Sequence, residues 1–228
     1  MTRKTVAIAI DGPAGAGKST IARQLAVSLG YIYVDTGALY RTVALSILRN
    51  NIDSDNIAEV TAHIEGISVD IKYIDGEQRV LLNSEDVSAF IRTPEVSMMA
   101  SKTSAILEVR AFLLGLQRKL AEQHNVVMDG RDIATVVLPD AEVKIFLTAS
   151  PEIRARRRYD ELIAKGEQVE FGDVLADLIK RDEQDMNRSV APLKPSQEAV
   201  IVDTSGLDLQ QSVEATQRVV KNKLNGEV

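Results

Sequence analysis

Five short runs of apolar residues punctuate the chain: VAIAI (Val6 to Ile10), YIYV (Tyr31 to Val34), VVM (Val126 to Met128), VKIFL (Val143 to Leu147) and AVIV (Ala199 to Val202). They are continuous rather than alternating, the pattern of strands covered on both faces. Four of them run into an aspartate or a turn residue. Between the runs the apolar spacing becomes helical. Ile21, Leu25 and Leu29 recur at i, i+4 and i+8 with Gly30 placed to stop the helix, and Ile106, Val109, Leu113, Leu116 and Leu120 form a second stripe. This alternation predicts an α/β domain on a five-stranded, mainly parallel sheet.

One stretch departs from that rhythm. From Ile67 to Asn83 the chain reads ISVDIKYIDGEQRVLLN, alternating at Val69, Ile71 and Tyr73 before Asp75-Gly76, a hairpin signal. Beyond it, Thr93 stands as a helix cap with Pro94 at the first helical position. Residues 67–101 are therefore expected to form a small inserted antiparallel subdomain, with 1–66 and 102–228 as the core. The terminal NGEV is expected to fray.

Composition narrows the chemistry. The chain has 228 residues, enough for one well-cored domain, and no cysteine, which excludes disulfides and thiolate metal sites. Its two histidines, His63 and His124, lack ligand spacing. The first apolar run is cut off at Asp11, too early for a signal peptide, and no window reaches the length of a membrane span. A cytoplasmic protein without membrane contact is expected, and a monomer, because no apolar stripe is left over. A net charge of -6 argues against nucleic acid as a partner, so any bound anion has to be held by a local positive cluster.

Such a cluster is present. GPAGAGKST, comprising Gly12, Pro13, Ala14, Gly15, Ala16, Gly17, Lys18, Ser19 and Thr20, fits G-x-x-x-x-G-K-[ST] between a buried strand and an amphipathic helix. The glycines let backbone N–H groups converge on an anion, the helix N-terminus adds its dipole, and Lys18 adds a full charge. The Ser19 hydroxyl is placed to ligate Mg²⁺ beside a bound nucleoside triphosphate. The fold expectation becomes a three-layer P-loop NTPase. No N-K-x-D stretch for reading guanine occurs.

Further arginines fall where strand ends gather them. DTGALYR (Asp35 to Arg41) follows the second strand and puts Tyr40 and Arg41 in the first turns of a helix. VVMDGRDIATVV places Asp129, Arg131 and Asp132 just past the third, which admits either a turn with a surface ion pair or a binding site. Ligands of open α/β sheets bind beyond the carboxyl ends of the strands. Val174, Leu178, Arg181, Asp185 and Arg188 step by helical intervals and share one face, apolar first and charged last. Spacing alone equally allows a surface Arg181–Asp185 pair. In SPEIRARRRYDELIAKG, Arg154, Arg156, Arg157 and Arg158 surround one helix, too widely spread to share one task. Residues 150–168 are expected to act as a helical lid in which one or two of these arginines, Arg157 among the candidates, close over the transferring phosphates.

Taken in order, IDGPAGAGKST, DTGALYR, MDGRDIATVVLPDAEVKIFLTAS and RDEQDMNRSVAPL resemble bacterial cytidylate kinase, which phosphorylates CMP and dCMP from ATP. The resemblance spans nearly the whole chain, the hairpin insert included. It implies acceptor-phosphate contacts from Arg41, Arg131 and Arg188, and ribose contacts from Asp185 with Arg181 nearby. It implies base recognition by Ser101, Arg110 and Asp132. Thr36 stands where many relatives have serine. Ala134 replaces the usual glycine and is expected to strain its turn if that position has positive φ. A kinase for another monophosphate such as UMP, or a nucleotide-dependent switch, remains the alternative.

Overall fold

The computed structural model describes residues 5–226. In chain order its elements are β1 (Ala7–Asp11), α1 (Lys18–Leu29), β2 (Ile32–Asp35), α2 (Thr36–Arg49), α3 (Ile57–Glu65), β3 (Val69–Ile74), β4 (Glu77–Leu82) and β5 (Glu85–Asp86). They continue with α4 (Pro94–Thr103), α5 (Leu107–Gln123), β6 (Val126–Gly130), β7 (Val143–Thr148), α6 (Pro151–Ala164), α7 (Phe171–Asn187), β8 (Val200–Asp203) and α8 (Leu209–Asn225). By their contacts they sort into two compact units, residues 1–33 with 124–228, and residues 34–123.

The first unit carries the parallel sheet, in the order β2-β6-β1-β7-β8. β1 pairs in parallel with β6 from Ala7↔Val126 to Asp11↔Gly130 and with β7 from Ile8↔Val143 to Asp11↔Phe146. All five apolar runs form strands, and each strand extends past its run to end on a polar residue or glycine (Asp11, Asp35, Gly130, Thr148, Asp203). α1 and α8 lie against the sheet. Ile8, Ile10, Val127, Ile145 and Leu147 from the strands meet Ile21 and Leu25 of α1 and Val213 and Val220 of α8 in one core. Each such side chain contributes about 1.5–3 kcal/mol on burial. The expected fraying of NGEV is corrected for its first half. Asn225 is helical, and the Gly226 N–H closes α8 on Asn222 O and Lys223 O, while residues 227–228 lie outside the described residues.

In the second unit β3, β4 and β5 form an antiparallel sheet. Val69↔Leu82 and Ile74↔Glu77 bound the first hairpin, whose turn residues Asp75 and Gly76 have φ of 52° and 78°. β5 is too short to show any period in sequence. Thr93 caps α4 as expected, accepting from Val96 N–H at 3.2 Å, with Pro94 next. Along α5 the buried stripe runs Val109, Leu113, Gln117, Ala121, so a polar residue takes the inward position that Leu116 was expected to hold. Among the described residues no helix is long and apolar enough to cross a membrane.

Candidate active site

The phosphate loop leaves β1 through Gly12, whose φ of 149° and surroundings admit no side chain: a Cβ there would lie 2.0 Å from Leu147 O of β7. Gly15 is similarly hemmed in by Arg154, whose Cβ would lie 3.1 Å from its own. Lys18 opens α1 with its side chain folded back, Nζ donating to Pro13 O at 2.7 Å. Burial and the Arg131 charge push its ammonium well below the ordinary lysine value, against the pull of Asp129, Asp11 and Asp185. That charge field has a structural meaning. The loop lysine, the DGRD turn and α7 share one locality of the first unit.

Asp129, near the end of β6, takes one hydroxyl on each oxygen. Ser19 Oγ donates to Oδ2 and Tyr33 Oη to Oδ1, both at 2.9 Å. Among the described residues no three His, Cys, Asp or Glu side chains gather in an arrangement that could hold a metal ion. A hydroxyl and a carboxylate side by side at a phosphate loop are nonetheless the hard oxygen donors that Mg²⁺ takes when its other ligands are phosphates and water.

Asp11 fixes the turn after β6. It is 1 % exposed, and its two carboxylate oxygens accept the backbone N–H groups of Ile133 at 2.7 Å and Ala134 at 2.8 Å. The chain then makes one wide helical turn, Val137 N–H reaching Asp132 O and Leu138 N–H reaching Ile133 O. Ala134 is absent from the residues of positive φ and its side chain is buried, so the strain considered for it does not arise. Burial drives the Asp11 carboxyl up to about 7, with the nearby Asp132 charge adding and the two N–H groups and Lys18 opposing.

Beyond that turn the first-unit residues expected to contact an acceptor converge. Arg131 Nε donates to Asp185 Oδ2 at 2.8 Å. Arg188 lies 3.8 Å from Asp132 Oδ1 and 4.0 Å from Asp185 Oδ1, and its Nε donates to Ala191 O at 2.6 Å. Ala191 adopts φ 49°, a left-handed conformation costly for a residue with a Cβ. Burial raises the Asp185 carboxyl, but Arg131, Arg181 and Arg188 outweigh it and hold the group below the usual carboxylate range. The surface Arg181–Asp185 pair is thereby set aside: Asp185 is buried, and Arg131 holds it.

The four arginines of α6 have four different environments. Arg154 is buried and bolts the phosphate loop to α7, its Nη1 donating to Ala14 O at 2.9 Å and to Asp182 Oδ2 at 2.6 Å. Arg156 lies over the Tyr159 and Phe171 rings, and Arg158 pairs with Glu161 at the surface. Arg157 is placed at the loop after β8, donating to Thr204 Oγ1 at 3.1 Å and Thr204 O at 2.8 Å. Sequence reading singled out neither Arg154 nor Asp182 nor Tyr33 for a task, and only the tertiary partners reveal them.

The second unit carries the remaining candidates. Thr36 begins α2 and is buried. Asp35 caps that helix, accepting from Ala38 N–H at 2.9 Å, and also takes Arg41 at 3.1 Å and Arg92 at 3.0 Å. Arg110 lies over the Tyr40 ring at 5.5 Å and donates to Ser104 O. The Ser101 hydroxyl is buried without a hydrogen-bond partner. Arg92 was not anticipated; an isolated arginine in a loop carries no pattern.

The cytidylate kinase family profile matches residues 8–222. The chain is similar to the cytidylate kinase of Caldicellulosiruptor bescii, at 49% identity over 97% of this chain and 100% of that one. It is similar to that of Carboxydothermus hydrogenoformans, at 50% over 95% and 97%. It is also similar to that of Caldanaerobacter subterraneus, at 51% over the full length of both. Among solved structures, an uncharacterized protein from Eubacterium ventriosum aligns with a TM-score of 0.53 over 98% of this chain and 99% of that one, at 15% identity, a likeness of fold.

Proposed function

This chain belongs to the cytidylate kinase family, and from that premise we propose that it transfers the γ-phosphate of ATP to CMP or dCMP, giving ADP and CDP or dCDP. The observation that carries the reading is the shared locality of Lys18, Arg131, Asp132, Asp185 and Arg188 in one unit, donor loop and acceptor arginines together.

The acceptor is a phosphate oxygen already ionised near neutral pH, so no general base is needed and catalysis reduces to alignment and charge stabilisation. Arg41, Arg131 and Arg188 hold the acceptor phosphate, each guanidinium matching its oxygens bidentately. Asp185 and Arg181 take the ribose. Asp132 accepts from the exocyclic amine of cytosine, with Ser101 and Arg110 donating to the ring acceptors; the unpartnered Ser101 hydroxyl supports that role. Uracil presents a carbonyl where cytosine has the amine, and would meet Asp132 oxygen to oxygen. On the donor side Lys18 swings from Pro13 O to the triphosphate, whose approach restores its full charge. Ser19 and Asp129 would hold Mg²⁺, which when bound neutralises charge on the phosphate oxygens. Residues 150–168 serve as the lid that excludes water, with Arg157 leaving Thr204 for the phosphoryl group, and 67–101 serve as the acceptor subdomain.

One assay tests the reading: ADP release with CMP, dCMP, UMP and AMP as acceptors. Stimulation by CMP and dCMP above UMP and AMP is expected. Preference for UMP or AMP, or slow hydrolysis indifferent to every monophosphate, would overturn it.

A further inference from the structure

Three side chains of the second unit meet at one oxygen. Asp35 Oδ2 accepts from Arg41 Nη2 at 3.1 Å and from Arg92 Nη2 at 3.0 Å. Arg41 reaches it from α2, and Arg92 from the segment between β5 and α4. The carboxylate is buried, at 7% exposure of its side chain, whereas the Arg92 side chain is 59% exposed. An exposed arginine on a carboxylate already paired with another arginine adds little stability.

Charge is what Arg92 adds. Two guanidinium groups stand against one carboxylate, leaving a positive charge uncompensated. Burial works to raise Asp35, yet Arg41, Arg92 and the Ala38 N–H together keep its carboxyl below the ordinary value, so the excess persists through the physiological range. Arg41 Nε is moreover buried with no hydrogen-bond partner, a donor without an acceptor in the free protein. Arg92 spends one N–H on Asp35 and presents the rest of its fork to solvent.

The placement is held from both sides. Ile91 is buried at 2% exposure, and Thr93 caps α4, so the backbone around Arg92 is fixed while its side chain is free to reach. Gln78 of β4 brackets Asp35, accepting from its N–H at 2.8 Å and donating to its carbonyl at 3.3 Å. The strand and the arginine segment are thus both fastened to the residue that orients Arg41.

We propose that Arg92 is a further substrate-binding residue, which with Arg41 forms a two-guanidinium clamp, built on Asp35, for the phosphate of the acceptor nucleoside monophosphate. The proposal rests on the reading of Arg41 given above. The clamp supplies the acceptor Arg41 Nε lacks and takes a dianion where one positive charge is in excess. It recognises the phosphate and is indifferent to the base.

The test compares a ligand with and without that phosphate. In the full-length protein, Arg92→Ala and Arg92→Lys are measured for KM with CMP and ATP, and for binding of CMP and of cytidine by calorimetry. Arg92→Ala is expected to weaken CMP roughly tenfold to a hundredfold, the loss of a charge-assisted contact, with cytidine and ATP changed less than about twofold. Arg92→Lys should recover part of the loss, keeping the charge without the fork. Equal weakening of CMP and cytidine would assign Arg92 a structural role and overturn the proposal, as would unchanged CMP binding. A failed kinase reading shows separately, in wild-type protein that CMP does not stimulate.

Discussion

Ser19 and Asp129 sit 110 residues apart in sequence and 2.9 Å apart in space, hydroxyl to carboxylate. The contact ties the first turn of α1 to the end of β6 and sets side by side the two oxygens proposed above to hold Mg²⁺. Asp129→Asn should raise the Mg²⁺ concentration for half-maximal rate and lower kcat by about 10–100-fold. Lys18→Ala should lose turnover by roughly three orders of magnitude or more through lost charge stabilisation, with an unchanged circular dichroism spectrum. Metal titrations and single-turnover rates check both.

Gly12→Ala places a methyl group 2.0 Å from the Leu147 carbonyl oxygen. The loop then has to leave its path between β1 and β7. We expect ATP binding to be lost and stability to fall by about 3 kcal/mol or more, measured by nucleotide calorimetry and urea unfolding.

Arg154 and Asp182 form an ion pair in which both side chains are under 10% exposed. Asp182→Ala strands a buried guanidinium and should cost about 3–5 kcal/mol. Because the same guanidinium holds Ala14 O, the variant should also bind ATP more weakly than CMP relative to wild type. Replacing both partners, Arg154→Met with Asp182→Leu, leaves no buried charge unpaired and should destabilise less than Asp182→Ala; denaturant midpoints for the two proteins decide this.

Asp11 titrates about 7 in the folded protein against 3.8 ordinarily. The folded state therefore binds the proton more tightly than the unfolded one. Its contribution to stability is full below the ordinary carboxylate value and is lost as pH rises through about 7. Asp11→Asn lacks this titration, so the wild-type advantage in Tm should shrink between about pH 5 and 8. An advantage that grows over that interval would contradict the assignment.

Asp132→Asn exchanges an obligate acceptor for an amide that can also donate. The kcat/KM ratio of CMP to UMP should fall by about 10–100-fold, with KM for ATP unchanged. Side-by-side acceptor kinetics measure it.

What could be read in the sequence was whatever repeats or obeys spacing. Continuous apolar runs marked the strands, the Asp75-Gly76 pair marked its hairpin, and the inward face of α7 was set by the steps from Val174 to Arg188. What could not be read was the identity of partners. Nothing local distinguishes Arg154, buried against Ala14 and Asp182, from Arg158 one turn further along the same helix and paired with Glu161 in solvent. The conformation at Ala134 likewise depends on an aspartate 123 residues earlier. Composition could not reveal that Asp35 gathers two arginines, since one of them comes from a loop without pattern.

Asp11 has a consequence for anyone who would rebuild this protein. The phosphate loop looks portable, a cassette that could be cut at the end of β1 and exchanged for that of another enzyme. Yet the residue at the cut is the floor beneath Ile133 and Ala134. A transplanted loop arriving with any other side chain there would fit its own nucleotide and unseat the turn bearing Arg131 and Asp132. The graft has to include the aspartate, or the host loses its second substrate while keeping its first.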